Sequence, residues 1–350
     1  MSAPSTFHGW ICHGKGEPMK WEEMKLRAED DYSVDMQVTD CGICGSDIHT
    51  MDANWGTPKY PVCVGHEIAG VCTRVGPKVK NVKVGDRIGV GAQSGSCHRP
   101  ECVPCSTGFE NLCRTAFTGT YNGVWENGDK SYGGYADYWR GDCRFVFKIP
   151  DNITNETACT FYCAGVTTYA PLKRHGVNSD SVVGVMGIGG LGHYGILWAK
   201  AMGAKVVGMS HNDKKKDVAL ELGADEYVIT SDSEALAKYK NKFTHILCTG
   251  TGQDFQWETY APLFRPNGIF INVGLPEWNF PEVRPMLLAM SQVTICGSAI
   301  GSPAEIEDML HFAAKTGVKP WLQTYPMSEA PKAVEDFKAG KPRFRFVLKN

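Results

Sequence analysis

The 350-residue chain lacks the marks of several protein classes. It has no long apolar run: no uncharged, wholly apolar stretch reaches the roughly 18 residues that a membrane helix needs. Met1 to Trp10 is polar and carries no apolar leader core, which points to a cytoplasmic chain with no membrane partner. Neither charge is in surplus: 36 Lys and Arg stand against 38 Asp and Glu, a net of −2. No global field draws such a chain onto nucleic acid or an acidic membrane. Internal repeats, low-complexity segments and long charge runs are absent as well. With 43% hydrophobic and 21% charged residues, the composition excludes a disordered tail and a collagen.

What is present in excess is glycine and cysteine. Glycine supplies 39 residues, about 11% against a usual value of about 7%. The 14 cysteines, in a chain without a leader, read as metal binding or catalysis before disulfides. The length suits two domains. The first 150 residues or so are turn-rich, with short β-branched stretches such as Val71 to Gly76 and Val84 to Val90, the texture of irregular antiparallel strands. Near Asn155 the texture changes. Thr157 to Leu172 is apolar and small-residue-rich, as in a helix packed near a site. From Ser181 strands and helices alternate: strand 182–186, helix 192–202, strand 205–209, helix 214–222, then strands at 227–230, 245–249 and 268–273. That alternation predicts a parallel, doubly wound α/β sheet. Helices follow at 303–316 and 327–339, and a last strand at 344–349.

Gly187, Gly189 and Gly192 form a G-x-G-x-x-G turn with Ile188, Gly190 and Leu191 between them. A strand precedes it and a helix follows, the context a dinucleotide site requires. The glycines allow the tight turn, the approach of a pyrophosphate and close helix–strand packing. The helix start then offers amides to the phosphates. A merely structural turn is the plain alternative. The end of the next strand selects the dinucleotide. An acidic residue there would accept the ribose hydroxyls and repel a 2′-phosphate. The sequence has Ser210, His211, Asn212, Asp213 and Lys214 to Lys216 instead. A hydroxyl, an imidazole and ammonium groups, Lys215 among them, suit NADP(H) over NAD, although the lysines also fit a solvated helix face. Asp213 reads as a cap of the next helix.

Cys97, Cys102, Cys105 and Cys113 lie within 17 residues, one pair in C-x-x-C spacing. Four thiolates so close match a closed, structural zinc site. Scattered reduced thiols are the alternative. Cys44, His66 and Cys163 lie too far apart for spacing to join them.

Nine segments together resemble the zinc-dependent medium-chain alcohol dehydrogenases, most nearly their cinnamyl alcohol dehydrogenase branch. They are CGICGSDIH at 41–49, VGHEIAG at 64–70, VGDRIGVGAQ at 84–93, TYNG at 120–123, YGGYADY at 132–138, CAGVTTY at 163–169, GIGGLGH at 187–193, LGAD at 222–225 and RFRFV at 343–347. They run in family order along nearly the whole chain. The resemblance implies an irregular, mainly β, GroES-like catalytic domain built from residues 1–155 and 297–350. A Rossmann domain, 156–296, is inserted between them, with the active site in the cleft. It implies two zinc ions per chain and a homodimer. It assigns Cys44, His66 and Cys163 to an open catalytic zinc, a ligand set that alcohol dehydrogenase itself exemplifies. Glu67 is a transient fourth ligand or an outer group. Asp47 orients the second ring nitrogen of His66. Cys41 is packing. The family's lobe spacing is C-x2-C-x2-C-x7-C, whereas this chain has C-x4-C-x2-C-x7-C. The longer loop, with Pro100, is expected to close on zinc still, with His98 as the alternative ligand.

The resemblance further implies that zinc acts as a Lewis acid on the substrate oxygen while hydride passes to or from the nicotinamide. Ser46 would bond the substrate oxygen and His49 would carry the proton onward; a turn hydroxyl and a surface imidazole are the plain readings. Thr167, Val273, Gly274, Leu275, Ser298 and Ala299 would line the cofactor. Arg345 would contact it too, unless it is a surface charge. Trp55 and Met51 would wall the substrate cleft. The expected function is NADP-dependent reduction of aromatic or medium aliphatic aldehydes to primary alcohols. A polyol or sugar-alcohol dehydrogenase is the alternative within enzymes. A non-catalytic zinc- and nucleotide-binding paralogue is the alternative outside them, and it would be marked by loss of a ligand or of the relay hydroxyl.

Overall fold

Ser33–Gly42 (SVDMQVTDCG) alternates polar and apolar residues as far as Thr39, and nearly all of it is buried, Asp40 included. This is the pattern of a central strand, and the computed structural model, which describes residues 4–350, gives it neighbours on both edges. It pairs antiparallel with Ile68–Val75 on one side. On the other side Tyr138–Asp142 pairs along its first half. The C-terminal strand Arg345–Lys349 pairs with its second half, Val347 opposite Gly42. Arg87–Val90 and Phe147–Lys148 extend one edge. Leu322–Pro326 extends the other, in the sheet's one parallel pairing among the described residues. Both ends of the chain thus build one seven-stranded sheet. Its core includes Val34, Met36, Ile68, Ile88, Tyr135, Trp139, Phe346 and Leu348.

The second sheet has six strands, all parallel, in the order Glu226–Ile229, Lys205–Ser210, Val182–Met186, Phe243–Cys248, Phe264–Asn272, Thr294–Gly297. Its central strands are continuous apolar runs because helices cover both faces of such a sheet. Val183, Val185, Val207, Ile246 and Phe270 are fully buried. This is the expected doubly wound α/β fold. The chain divides into two compact units. One holds the residues up to Val166 with Ile300–Gly317 and Trp321–Asn350; the other holds Thr167–Ala299 with Val318–Pro320.

Several boundaries move for local reasons. Lys83 N donates to Asp86 Oδ2 at 3.0 Å, closing a turn, so the strand expected from Val84 starts at Arg87. Asn212, not Asp213, caps the helix after Ser210: its Oδ1 accepts from Lys214 N at 3.0 Å, and a 3-10 turn at Asp213–Lys215 precedes Lys216–Glu221. The helix expected over 157–172 is three segments, with a π turn at Phe161–Gly165 between Asn155–Thr160 and Val166–Arg174. The helix Pro303–Thr316 stands as read, closed by a Ser302–Glu305 capping box. Pro285–Ser291 and Thr294–Gly297 were not legible: the strand is short and largely exposed, without an apolar run to mark it.

Candidate metal centres and nucleotide turn

Two groups of metal-ligating side chains converge among the described residues. The first joins segments far apart in sequence. Cys44 is the N-cap of the short helix Gly45–Met51. His66 precedes the strand Ile68–Val75. Cys163 sits on the π turn, a feature that often marks functional positions. The two sulfurs are 3.9 Å apart, and one donor atom from each of Cys44, His66, Glu67 and Cys163 lies within 4.8 Å of the others. Thiolates on one tetrahedral zinc, with Zn–S near 2.3 Å, lie about 3.8 Å apart. His66 Nε2 is buried with no hydrogen-bond partner. An orphaned imidazole nitrogen beside two close sulfurs is what a zinc ion would satisfy, so the residues fit the metal.

Supports hold the cage. Asp47 Oδ2 accepts from Cys44 N at 2.9 Å and Tyr135 Oη at 3.2 Å; its Oδ1 accepts from Gly65 N at 3.2 Å. It therefore fixes the backbone beside two ligands, a different route from the expected bond to the His66 ring. Tyr121 lies flat on His66, with centroids 5.3 Å apart and planes 5° apart. Glu67 Oε1 accepts from Arg345 Nη2 at 2.5 Å and from Ala164 N at 3.4 Å, while Oε2 has no partner. Arg345 is buried, which removes the surface-charge alternative. The electrostatics are those of a cation site. The hydrogen bond to Cys163, with help from His66, holds the Cys44 thiol well below its ordinary range. Burial pulls His66 down, but the Cys44 thiolate outweighs it and lifts the imidazole to about 9. Burial pushes Glu67 up to about 7 against the pull of Arg345.

The second group is Cys97, Cys102, Cys105 and Cys113. Sulfur separations are 3.6 Å for Cys97–Cys105, 3.6 Å for Cys97–Cys113 and 4.0 Å for Cys102–Cys113. These are again the edges of a zinc tetrahedron. The two extra residues before Cys102 turn back, with Cys102 N donating to Arg99 O at 3.1 Å, and leave the cluster closed. His98 stays outside it: its Nε2 is 3.2 Å from Ser96 Oγ.

The glycine turn is built for close approach. Gly187 has φ +85°, and a Cβ on Gly192 would lie 1.9 Å from Gly187 O. Any larger residue at Gly192 would drive helix from strand. A Cβ on Gly189 would meet open space, room that a pyrophosphate could use. Gly190 O takes His193 Nδ1 at 2.8 Å, and Leu191 caps the helix Gly192–Ala201. Thr249 Oγ1 donates to Gly187 O at 2.6 Å, a support that no sequence signal announced.

Comparison with known proteins agrees with this geometry. Residues 30–151 match the family model described as alcohol dehydrogenase GroES-like domain, and residues 190–315 that described as zinc-binding dehydrogenase. An NADP-dependent alcohol dehydrogenase C of Mycolicibacterium smegmatis is 38% identical over 98% of both chains. A cinnamyl alcohol dehydrogenase of Sorghum bicolor superposes with a TM-score of 0.92, at 32% identity over 98% of this chain and 97% of that one. A CAD of Helicobacter pylori, solved with NADP(H), gives 0.88, at 31% identity over 98% of each. The chain belongs to the zinc-dependent alcohol dehydrogenase family.

Neither the polyol nor the non-catalytic alternative is favoured. The relatives carry alcohol dehydrogenase names, and Cys44, His66 and Cys163, side chains able to hold a metal ion, converge here. The remaining residues of this dehydrogenase fall as follows. Ser46 Oγ is 3.6 Å from Cys44 Sγ. His49 stacks on Trp55, centroids 4.5 Å apart, and its Nδ1 is 3.3 Å from Asn54 Nδ2. Trp55 is exposed, whereas Met51 lies in the hydrophobic core. Ser210 ends its strand half-buried, with His211 exposed and Lys215 half-buried beyond it. Thr167 and Val273 are buried and Leu275 is exposed. A Cβ on Gly274 would lie 2.7 Å from Thr249 O. Ser298 Oγ accepts from Arg174 Nη1 at 3.5 Å, and Ala299 follows it.

Proposed function

We propose that this protein is an NADP(H)-dependent alcohol dehydrogenase working mainly as a reductase of aromatic or medium aliphatic aldehydes. The observation that carries the reading is the buried cage of Cys44, His66 and Cys163, in which Arg345 ties one oxygen of Glu67. Three protein ligands leave a coordination position for a substrate oxygen. When bound, zinc supplies Lewis acidity and the reduced nicotinamide supplies hydride. The chain's own residues do the rest. Ser46 Oγ holds the substrate oxygen and exchanges its proton. His49, steadied by Trp55, passes the proton toward solvent. Thr167, Ser298, Ala299 and the run Val273–Leu275 hold the cofactor, and Arg345 joins them as it holds Glu67. Ser210, His211 and Lys215 take the 2′-phosphate. Cys97, Cys102, Cys105 and Cys113 hold a second, structural zinc.

The zinc-bearing unit serves as the catalytic domain and the parallel-sheet unit as the nucleotide domain. A second copy of the chain would pair with the edge strand Thr294–Gly297, where Ile295 and nearby Met286 and Met290 are exposed. All 14 cysteines are free, which suits the reducing cytoplasm. The test is absorbance at the reduced-nicotinamide band with cinnamaldehyde, aliphatic aldehydes and their alcohols, using each cofactor. Turnover of cinnamaldehyde with NADPH is expected. Failure to reduce any aldehyde with either cofactor removes the proposal.

A further inference from the structure

Gly42 ends the strand Ser33–Gly42 and is pinned on both edges. Its N–H donates to Glu67 O at 2.8 Å, and Val347 lies opposite it on the C-terminal strand. The next residue, Ile43, donates from its N–H to Phe346 O at 2.9 Å. The backbone at Gly42 therefore has little freedom to withdraw. A Cβ on Gly42 would overlap Glu67 Oε2 outright, and would lie 3.0 Å from Glu67 Cβ and 3.1 Å from Cδ. The carboxylate thus fills the space that a side chain at 42 would need. Oε2 makes no bond there: it is buried without a hydrogen-bond partner. A buried, unmet carboxylate oxygen is costly. Only Oε1 holds the group, by accepting from Arg345 Nη2 and Ala164 N. Cys44, His66 and Cys163 stand close by, for one Glu67 oxygen is within 4.8 Å of a donor atom from each.

From this arrangement we infer that Gly42 is a positioning residue for the reaction. Its missing side chain gives the Glu67 carboxylate a seat beside Arg345, and so keeps that carboxylate off the coordination position that the substrate oxygen takes. The inference rests on the reading, proposed above, of the cage as an open zinc site. Strand pairing fixes the backbone of Gly42, so a methyl group added there displaces the flexible carboxylate instead. A displaced carboxylate weakens its pair with Arg345, and a buried charge without a partner is strongly unfavourable. The fourth position of the cage offers a replacement cation, and carboxylate oxygens are ordinary zinc ligands. An oxygen of Glu67 in that position competes with the substrate oxygen. Gly42 thereby sets whether the carboxylate beside His66 supports the cage from outside or closes it.

The test uses enzyme with cobalt exchanged into the cage, whose visible bands report coordination, and imidazole as the probe ligand. Imidazole should shift the bands of the wild type. Gly42→Ala should show shifted bands before imidazole is added, and should need about tenfold or more imidazole to change them. In the zinc enzyme, KM for cinnamaldehyde should rise more than kcat falls, the mark of competition at the binding position. Glu67→Asp withdraws the carboxylate by one methylene. Adding Gly42→Ala to Glu67→Asp should therefore change neither the bands nor the imidazole requirement. The double variant also serves if Gly42→Ala alone does not fold; failure of both to fold places the clash in the backbone and overturns the inference. Bands and KM of Gly42→Ala equal to the wild type overturn it, and so does an equal loss in both backgrounds. Wild-type cobalt bands that ignore imidazole remove the reading of the cage itself, and this inference with it.

Discussion

Arg345 and Glu67 are 278 residues apart in sequence and form a buried ion pair, Nη2 to Oε1 at 2.5 Å, beside Cys44 and Cys163. The pair ties the C-terminal strand to the segment that bears His66. Breaking a buried pair by removing one partner leaves an uncompensated charge and costs about 3–5 kcal/mol. Arg345→Met should therefore lower the urea-unfolding midpoint strongly. Adding Glu67→Gln should recover much of the loss. Strictly additive losses in the double variant would show that the two residues do not act as a pair.

Metal content is the next check. Each chain should carry two zinc ions, released in order under a chelator. The ion held by Cys44, His66 and Cys163 should leave first and take activity with it. Loss of the four-cysteine zinc should lower the melting temperature, because its binding is coupled to local folding. Elemental analysis showing one zinc per fully active chain would contradict this.

Cys163→Ala and His66→Ala should each abolish turnover while NADPH still binds, measured by fluorescence titration. Ser46→Ala should keep both zinc ions and lose about 10²–10⁴-fold in turnover, the usual value of a positioned proton transfer. A Ser46→Ala enzyme with the wild-type rate at every pH would remove Ser46 from the relay.

Tyr121 stacks on His66, a proposed zinc ligand. Outer supports of ligands commonly affect metal affinity by about 10–100-fold. Tyr121→Leu should speed zinc loss to a chelator and shift the visible spectrum of cobalt-substituted enzyme; Tyr121→Phe should do neither. Equal zinc retention in wild type and Tyr121→Leu would make the stacking incidental.

Cofactor choice is read at Ser210. If Ser210 and its neighbours take the 2′-phosphate as proposed, two hydrogen bonds to it, discounted for exposure, would favour NADPH by about 10²-fold or more. Ser210→Asp should raise KM for NADPH steeply and leave or improve NADH. Lys215→Ala should weaken NADPH alone. Equal kcat/KM with both cofactors in the unmodified enzyme would refute the reading of this segment.

Some of this protein is determined locally and is legible in its residues. Val182–Met186 and the glycines after it announce a buried strand and a nucleotide turn, because apolar runs and glycine spacing act over a few residues. Cys97 to Cys113 lie within one loop, so their spacing alone brings four sulfurs within reach of one ion. Ser302, Pro303 and Glu305 start a helix by contacts three residues apart. Other features needed the folded chain. Cys44, His66 and Cys163 meet because a sheet, a short helix and a π turn converge, and no periodicity encodes that; family resemblance had to supply it. The partner of Glu67 was decided by the pairing of Arg345–Lys349 with Ser33–Gly42, which brings the chain's end against its beginning. The unpaired Oε2 of Glu67 and the stacking of Tyr121 on His66 are likewise tertiary facts. Local sequence sets which groups can bond within a few residues; which distant groups are buried together, and which are left without a partner, is settled only when the sheets pack.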